Sequence, residues 1–142
     1  MKTIYIAGPL YTEGDRFLLE KIDNICKQAG FNTYLPHRDG GLFIRCEESS
    51  RKFFINDLEK LDEISIIIVV LNGSDVDSGT SWEIGYSFSK NKIIIGYIED
   101  SRIYEYNKQL NPMISNSLNK LVKNIEELKM VLMNSNIFTP NR

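Results

Sequence analysis

Several features are scarce in this 142-residue sequence, and each scarcity removes a class of function. The two cysteines, Cys26 and Cys46, form no CxxC pair, so neither a disulfide framework nor a thiolate zinc site is expected. The single histidine, His37, has no His, Cys or carboxylate at ligand spacing, which argues against a metal centre. Without a second histidine or an activated serine or cysteine, an acyl-transfer triad is not expected either. The longest apolar run is about eight residues, far short of the ~20 that cross a bilayer. The apolar stretch at the start ends within a few residues at Gly8-Pro9, unlike a signal peptide. There is no GxGxxG and no GxxxxGK[ST], so the dinucleotide and P-loop fingerprints are missing. Nor is there an excess of positive charge. With 17 Lys+Arg against 19 Asp+Glu, interspersed and summing to −2, no basic footprint for a nucleic-acid polymer is expected.

The length fits one domain of roughly 100–200 residues, able to bury about two-thirds of its unfolded surface. No repeat, low-complexity tract or linker interrupts it, so residues 1–142 read as a single cytoplasmic domain. Three short β-branched runs are clear: Thr3–Ala7, Ile64–Leu71 and Ile93–Ile98. The middle one is continuously apolar, as in a strand covered on both faces of a parallel sheet. Phe31–Leu35 is a weaker fourth candidate. Apolar residues at helical spacing predict helices over about 15–29, 49–61, 80–90 and 125–133, with a short piece near 115–121. Gly30 falls where the first helix would stop. Strand and helix alternate, the pattern of a three-layer α/β/α sandwich on a mainly parallel, Rossmann- or flavodoxin-like sheet. Ligands of such sheets bind beyond the carboxyl ends of the strands. The loops at 8–15, 36–46, 72–79 and 99–111 therefore carry the interest.

The third loop is the richest, running from Asn72 through Asp75, Asp77, Ser78 and Gly79 to Thr80-Ser81-Trp82-Glu83. Two readings compete there. Thr80-Ser81-Trp82-Glu83 fits a capping box, with Thr80 capping the helix and Glu83 reaching back. Alternatively, a glutamate in a first helical turn is held ionised by the helix dipole. It would then be a competent nucleophile towards an electrophilic carbon such as an anomeric centre. Tyr5 on the first strand reads as a core tyrosine or a site residue, and Asp57 as a solvated helical acid or a site acid. Asn111-Pro112-Met113-Ile114 reads alone as a turn before a helix.

Taken together, five blocks resemble the nucleoside 2-deoxyribosyltransferase family. They are Ile4–Leu10, Asn56-Asp57-Leu58, Asp77–Tyr86, Gly96-Tyr97 with Asp100 and Arg102, and Asn111–Ile114. The resemblance spans about residues 3–132 and includes related 2'-deoxynucleoside 5'-phosphate N-hydrolases. It implies exchange of purine or pyrimidine bases on 2-deoxyribose by double displacement, with no cofactor and no metal. Glu83 would form a covalent deoxyribosyl intermediate and Tyr5 would orient it. Asp57 would carry the base's proton and Asp77 would help fix sugar and base, or the reverse. Gly8, Pro9, Ser78, Gly79, Asn111 and Met113 would contact substrate. Asn111 and Met113 match positions supplied by a neighbouring subunit, which implies a homo-oligomer with shared sites. The expected partners are nucleosides and free bases, not a nucleic-acid polymer or a membrane. The nearest alternative is a 5'-monophosphate N-glycosidase using the same glutamate, because Arg38, Ser101, Arg102 and Ser115 are within reach of these loops. A nucleotide sensor without catalysis is the alternative from another class. The loop from Pro36 to Gly41, which would border the base, has no secure counterpart in the family.

Overall fold

The structure is a computed structural model that describes residues 1–40, 46–100, 110–134 and 136. Five parallel strands are β1 (Thr3–Ala7), β2 (Asn32–Tyr34), β3 (Ile66–Val70), β4 (Ile93–Tyr97) and β5 (Lys120–Val122). They lie in the order β2-β1-β3-β4-β5. The helices are α1 (Glu13–Gln28), α2 (Pro36–Asp39), α3 (Glu47–Glu63), α4 (Ser78–Ser89), α5 (Pro112–Ser115) and α6 (Ile125–Met133).

Every residue of β3 and β4 is buried, which is why these strands read as continuous apolar runs rather than alternating ones. Successive side chains still take opposite faces. Ile4, Ile6, Ile66, Ile68 and Val70 pack with α1 and α6, through Leu19, Ile22, Leu128 and Leu132. Tyr5, Ala7, Ile67, Val69 and Leu71 pack with α3 and α4, through Leu61 and Ile84. Tyr5 therefore faces the α3–α4 side, and so does Tyr34 from β2.

The ends of α1 follow from local chemistry. Thr12 caps it in a reciprocal pair with Asp15, and Gly30, at φ 88°, takes the left-handed conformation just beyond it. The piece expected near 115–121 is corrected: the helix is only Pro112–Ser115, and Lys120–Val122 is an edge strand. Leu118 and Leu121 imitate a helical spacing, but both pack beside Gly96 of β4. Asn119 sets the strand's start by accepting from Ile94 N at 2.8 Å and donating to Ile94 O at 2.8 Å.

Gly8 ends β1 with a packing role. A Cβ there would stand 2.9 Å from both Val70 Cβ and Leu19 Cδ2, and a strand-borne Cβ cannot swing aside. Gly8→Ala is expected to destabilise the fold by about 1–3 kcal/mol, as overpacking does, read by thermal or urea denaturation.

Candidate active site

The site grows from pairs of a tyrosine and a carboxylate on the α3–α4 side of the sheet. Tyr5, fully buried on β1, donates its phenol to Glu83 Oε1 on α4 at 2.7 Å. Tyr34 on β2 donates to Asp57 Oδ1 on α3 at 3.0 Å. The two rings touch, with centroids 5.3 Å apart. Neighbouring strands thus hold two carboxyl groups from two different helices. Both groups line one pocket of about 360 Å³ between α3 and α4. Its other walls include Phe53, Phe54, Leu58, Gly79 and Trp82. Trp82 stacks on Tyr86 at 5.2 Å and meets Phe54 edge-on at 5.7 Å, so the pocket is aromatic and apolar around its acids.

That surrounding sets the acidities. Burial pushes Glu83 up to about 8; the Tyr5 hydrogen bond opposes this, while the charges of Asp57 and Asp77 add to it. Burial pushes Asp57 up to about 6, opposed by the Tyr34 hydrogen bond. Asp77 behaves differently. Burial would raise it, but hydrogen bonds from Tyr11, Thr80 and Gly79 outweigh that and hold it below the ordinary carboxylate range. Burial, together with the charges of Glu83 and Asp57, keeps the Tyr5 phenol protonated far above neutral pH.

The capping-box expectation is overturned. The residue that caps α4 is Asp77, whose Oδ2 accepts from Thr80 N and Thr80 Oγ1, each at 2.9 Å. Helix α4 therefore starts two residues earlier than expected, and Glu83 lies in its second turn. From there it points at Tyr5 rather than back at the cap. Holding Glu83 ionised by the helix dipole is overturned with it, because burial dominates and raises the group.

The other expected residues separate. Pro9 and Asp77 line an acidic cleft of about 510 Å³, together with Tyr11, Asp15, Asp75 and Asp100. There Tyr11 donates to Asp77 Oδ1 at 2.6 Å. Ser78, Asn111 and Met113 line a different cleft, of about 680 Å³, between α4 and α5. Asn111 Oδ1 caps α5 by accepting from Met113 N at 2.9 Å, and Met113 is 80% exposed. Within one chain, neither residue lines the Glu83 pocket. Gly79 does line it, whereas Gly8 lines none of these three cavities. Ser101 and Arg102 lie outside the described residues.

Two participants were not legible beforehand. Tyr34 sat in the weakest strand candidate, and the Tyr11 phenol sat in a loop; only their structural placement brings them to Asp57 and Asp77. His37 Nε2 lies 3.4 Å from Glu20 Oε1. Among the described residues, no group of three His, Cys, Asp or Glu could hold a metal ion, and no helix is long and apolar enough to cross a membrane.

An open parallel sheet with facing carboxyl groups in a pocket between two of its helices defines an α/β protein equipped for acid–base and nucleophilic chemistry. A family model described as nucleoside 2-deoxyribosyltransferase matches residues 4–134, and the chain belongs to that family. Among solved structures, it is similar to a 2-deoxyribosyltransferase of the psychrotolerant bacterium Bacillus psychrosaccharolyticus. The identity is 22% and the TM-score 0.77, with 89% of this chain and 90% of that one covered. It is also similar to a conserved protein of Enterococcus faecalis V583, at 23% identity and TM-score 0.73, covering 93% and 97% of the two chains. A response regulator receiver domain of Clostridium thermocellum is alike at 8% identity and TM-score 0.57, covering 97% of this chain and 94% of that one. At these identities the likenesses establish the α/β fold. No curated protein sequence matches. Family membership makes the chain a glycosyl-transferring enzyme of nucleoside deoxyribosyltransferase type, with small nucleosides as its substrate class.

Proposed function

We propose that this protein transfers the 2-deoxyribosyl group between purine or pyrimidine bases through a covalent deoxyribosyl–Glu83 intermediate. The observation that carries the reading is the pairing of Glu83 and Asp57 in one pocket, each held by its own tyrosine. Glu83 attacks the anomeric carbon as the carbon–nitrogen bond to the base breaks. Asp57 delivers a proton to the departing base and recovers one from the incoming base. Asp77 suits the proton role less well, since its hydrogen bonds keep it ionised; it fits the binding of sugar hydroxyls from the adjoining cleft, near enough for its charge to raise Glu83. Tyr5 orients Glu83. Two displacements at one carbon retain configuration.

At neutral pH burial leaves the proton mainly on Glu83 and the charge mainly on Asp57, so the working state needs that proton on Asp57 instead. The charge of Asp57 helps to raise Glu83, which ties the two titrations together. Between about pH 6 and about pH 8 the pair carries one proton and one negative charge. That is the inventory one attack and one protonation require. As positive charge develops at the anomeric carbon, it draws the negative charge to Glu83 and leaves the proton to Asp57. The kcat/KM profile of the free enzyme is therefore expected to be a bell with limbs near 6 and 8. Below the acid limb there is no nucleophile, and above the alkaline limb there is no acid. A profile flat from pH 5 to 9 would remove the pair from the mechanism.

Because Asn111 and Met113 point into a cleft apart from Glu83, their substrate contacts fit an assembly of at least two copies, each completing the other's pocket. A cytoplasmic role in nucleoside salvage agrees with this chemistry. The activity is tested by incubating deoxyinosine or deoxyuridine with free adenine and separating the products by chromatography. Deoxyadenosine is the expected product. Free deoxyribose alone would make the protein a hydrolase, and a rate preference for the 5'-monophosphate would identify the N-glycosidase. No turnover of either substrate would refute the reading.

A further inference from the structure

The side of Asp57 that meets Tyr34 is covered by a device that begins well outside the pocket. The turn α2 leads into Gly40, which is buried. A Cβ on Gly40 would stand 3.1 Å from Asp57 Oδ1, 3.2 Å from Tyr34 Oη and 2.6 Å from Pro36 O. The bare glycine backbone therefore lies directly over the Tyr34–Asp57 hydrogen bond, where no side chain fits. Asn56, beside Asp57 on α3, donates its Nδ2 to Gly40 O at 3.3 Å.

The turn itself is fixed from behind. Asp39 Oδ2 accepts from Leu35 N at 2.9 Å. Arg38 grips Asp39 with two bonds, Nε to Oδ1 at 2.7 Å and Nη2 to Oδ2 at 2.6 Å. Its third donor, Nη1, reaches Asp23 Oδ2 on α1 at 2.9 Å. Asp23 is 3% exposed and is also bound by Lys27 Nζ and by the Thr33 hydroxyl on β2. A buried carboxylate with three cationic or hydroxyl partners is a rigid anchor, since each partner lost removes part of the compensation its charge needs. The same anchor thus holds Thr33, the residue before Tyr34, and Arg38, two residues before Gly40.

We propose that Tyr34 and the Asp23–Arg38–Asp39 network are positioning residues for Asp57: Tyr34 aims its carboxyl, and the network pins the Gly40 turn that closes it from water. This rests on the reading of Asp57 as the group that carries the base's proton. Among the described residues, the titratable groups facing Asp57 are Tyr34 from β2, Tyr5 from β1 and Glu83 from α4. Lys60, one turn along α3, sits over the Tyr34 ring at 5.9 Å, and Asp39 adds its charge behind Tyr34.

The two halves of the device act on Asp57 with opposite sign. Tyr34 donates to the ionised carboxylate and favours it, whereas enclosure disfavours it. Tyr34→Phe keeps the ring against Tyr5 and removes only the donor. Arg38→Met releases the turn while Lys27 and Thr33 still hold Asp23. The experiment follows the Asp57 carboxyl carbon by NMR in protein labelled with 13C-aspartate, assigned through its loss in Asp57→Asn. The kcat/KM profile of each variant is measured alongside. The Asp57 titration is expected to rise by roughly one pH unit in Tyr34→Phe and to fall by a similar amount in Arg38→Met. The acid limb of the profile should follow each shift, while the alkaline limb stays in place.

A general loosening of the fold would move both variants the same way. Shifts of equal sign, or no shift in either variant, would overturn the proposal. Opposite shifts in the NMR titration with an unmoved acid limb would uphold the positioning and instead remove proton transfer from Asp57.

Discussion

Glu83→Ala is expected to lose covalent labelling by a 2-fluoro-2-deoxy nucleoside and to lower turnover by about 10³-fold or more, the scale on which removing a nucleophile acts. The substituted sugar slows breakdown of the glycosyl-enzyme, so intact-protein mass spectrometry should find the adduct on the unaltered chain and not on the variant. Labelling that persists on another residue of Glu83→Ala would refute the assignment. The same position carries an opposite expectation for stability. Glu83 has a folded value of about 8 against an ordinary 4.5, so the unfolded chain releases this proton first as pH rises. Stability from this group is therefore lost through that window, whereas below it both states are protonated and nothing is lost. Glu83→Gln, which is never charged, should melt higher than the unaltered protein at pH 7 and alike at pH 4. Function and stability pull in opposite directions at the buried acid, as they do at many active sites.

The second large effect belongs to Asp57. Asp57→Asn keeps an oxygen for Tyr34 to bond but cannot deliver a proton. Turnover of ordinary deoxynucleosides is expected to fall by about 10²–10⁴-fold, the range of general acid–base contributions. The loss should shrink for a nucleoside whose base departs without protonation, because the missing step is then not needed. Steady-state rates across leaving bases of graded basicity read this directly. An equal loss for all of them would place the proton elsewhere in the pocket. Asp77→Asn is the natural comparison, and its loss should not depend on leaving-base basicity.

The sheet was largely legible from the chain because its strands are extreme. Ile66–Val70 and Ile93–Tyr97 are buried throughout, and a parallel strand covered on both faces reads as such a run. Lys120–Val122 was not legible: three residues at an edge, with an exposed lysine first, carry too little pattern to outweigh the leucine spacing around them. At the site, Glu83, Asp57, Asp77 and Tyr5 stand in recognisable blocks. What the order of residues does not contain is which carboxylate meets which tyrosine. Thr80 and Glu83 satisfy the local rule for a capping box, yet Asp77 takes the cap. Tyr5, far away in sequence, claims the glutamate. Tyr34 and Tyr11 entered the site through strand pairing and loop packing, which are long-range facts.

Asp77 spends both of its oxygens inside the protein. Oδ2 caps α4 and Oδ1 takes the Tyr11 phenol. A sugar hydroxyl that comes to Asp77 must share or displace Tyr11, whose side chain is exposed, rather than the cap, which starts the helix that carries Glu83. Altering sugar preference through residue 77 would thus disturb the helix that presents the nucleophile, and the two properties could not be selected separately. Tyr11 carries no such double duty. Variation in sugar tolerance, whether arising in nature or introduced by design, has its open route there.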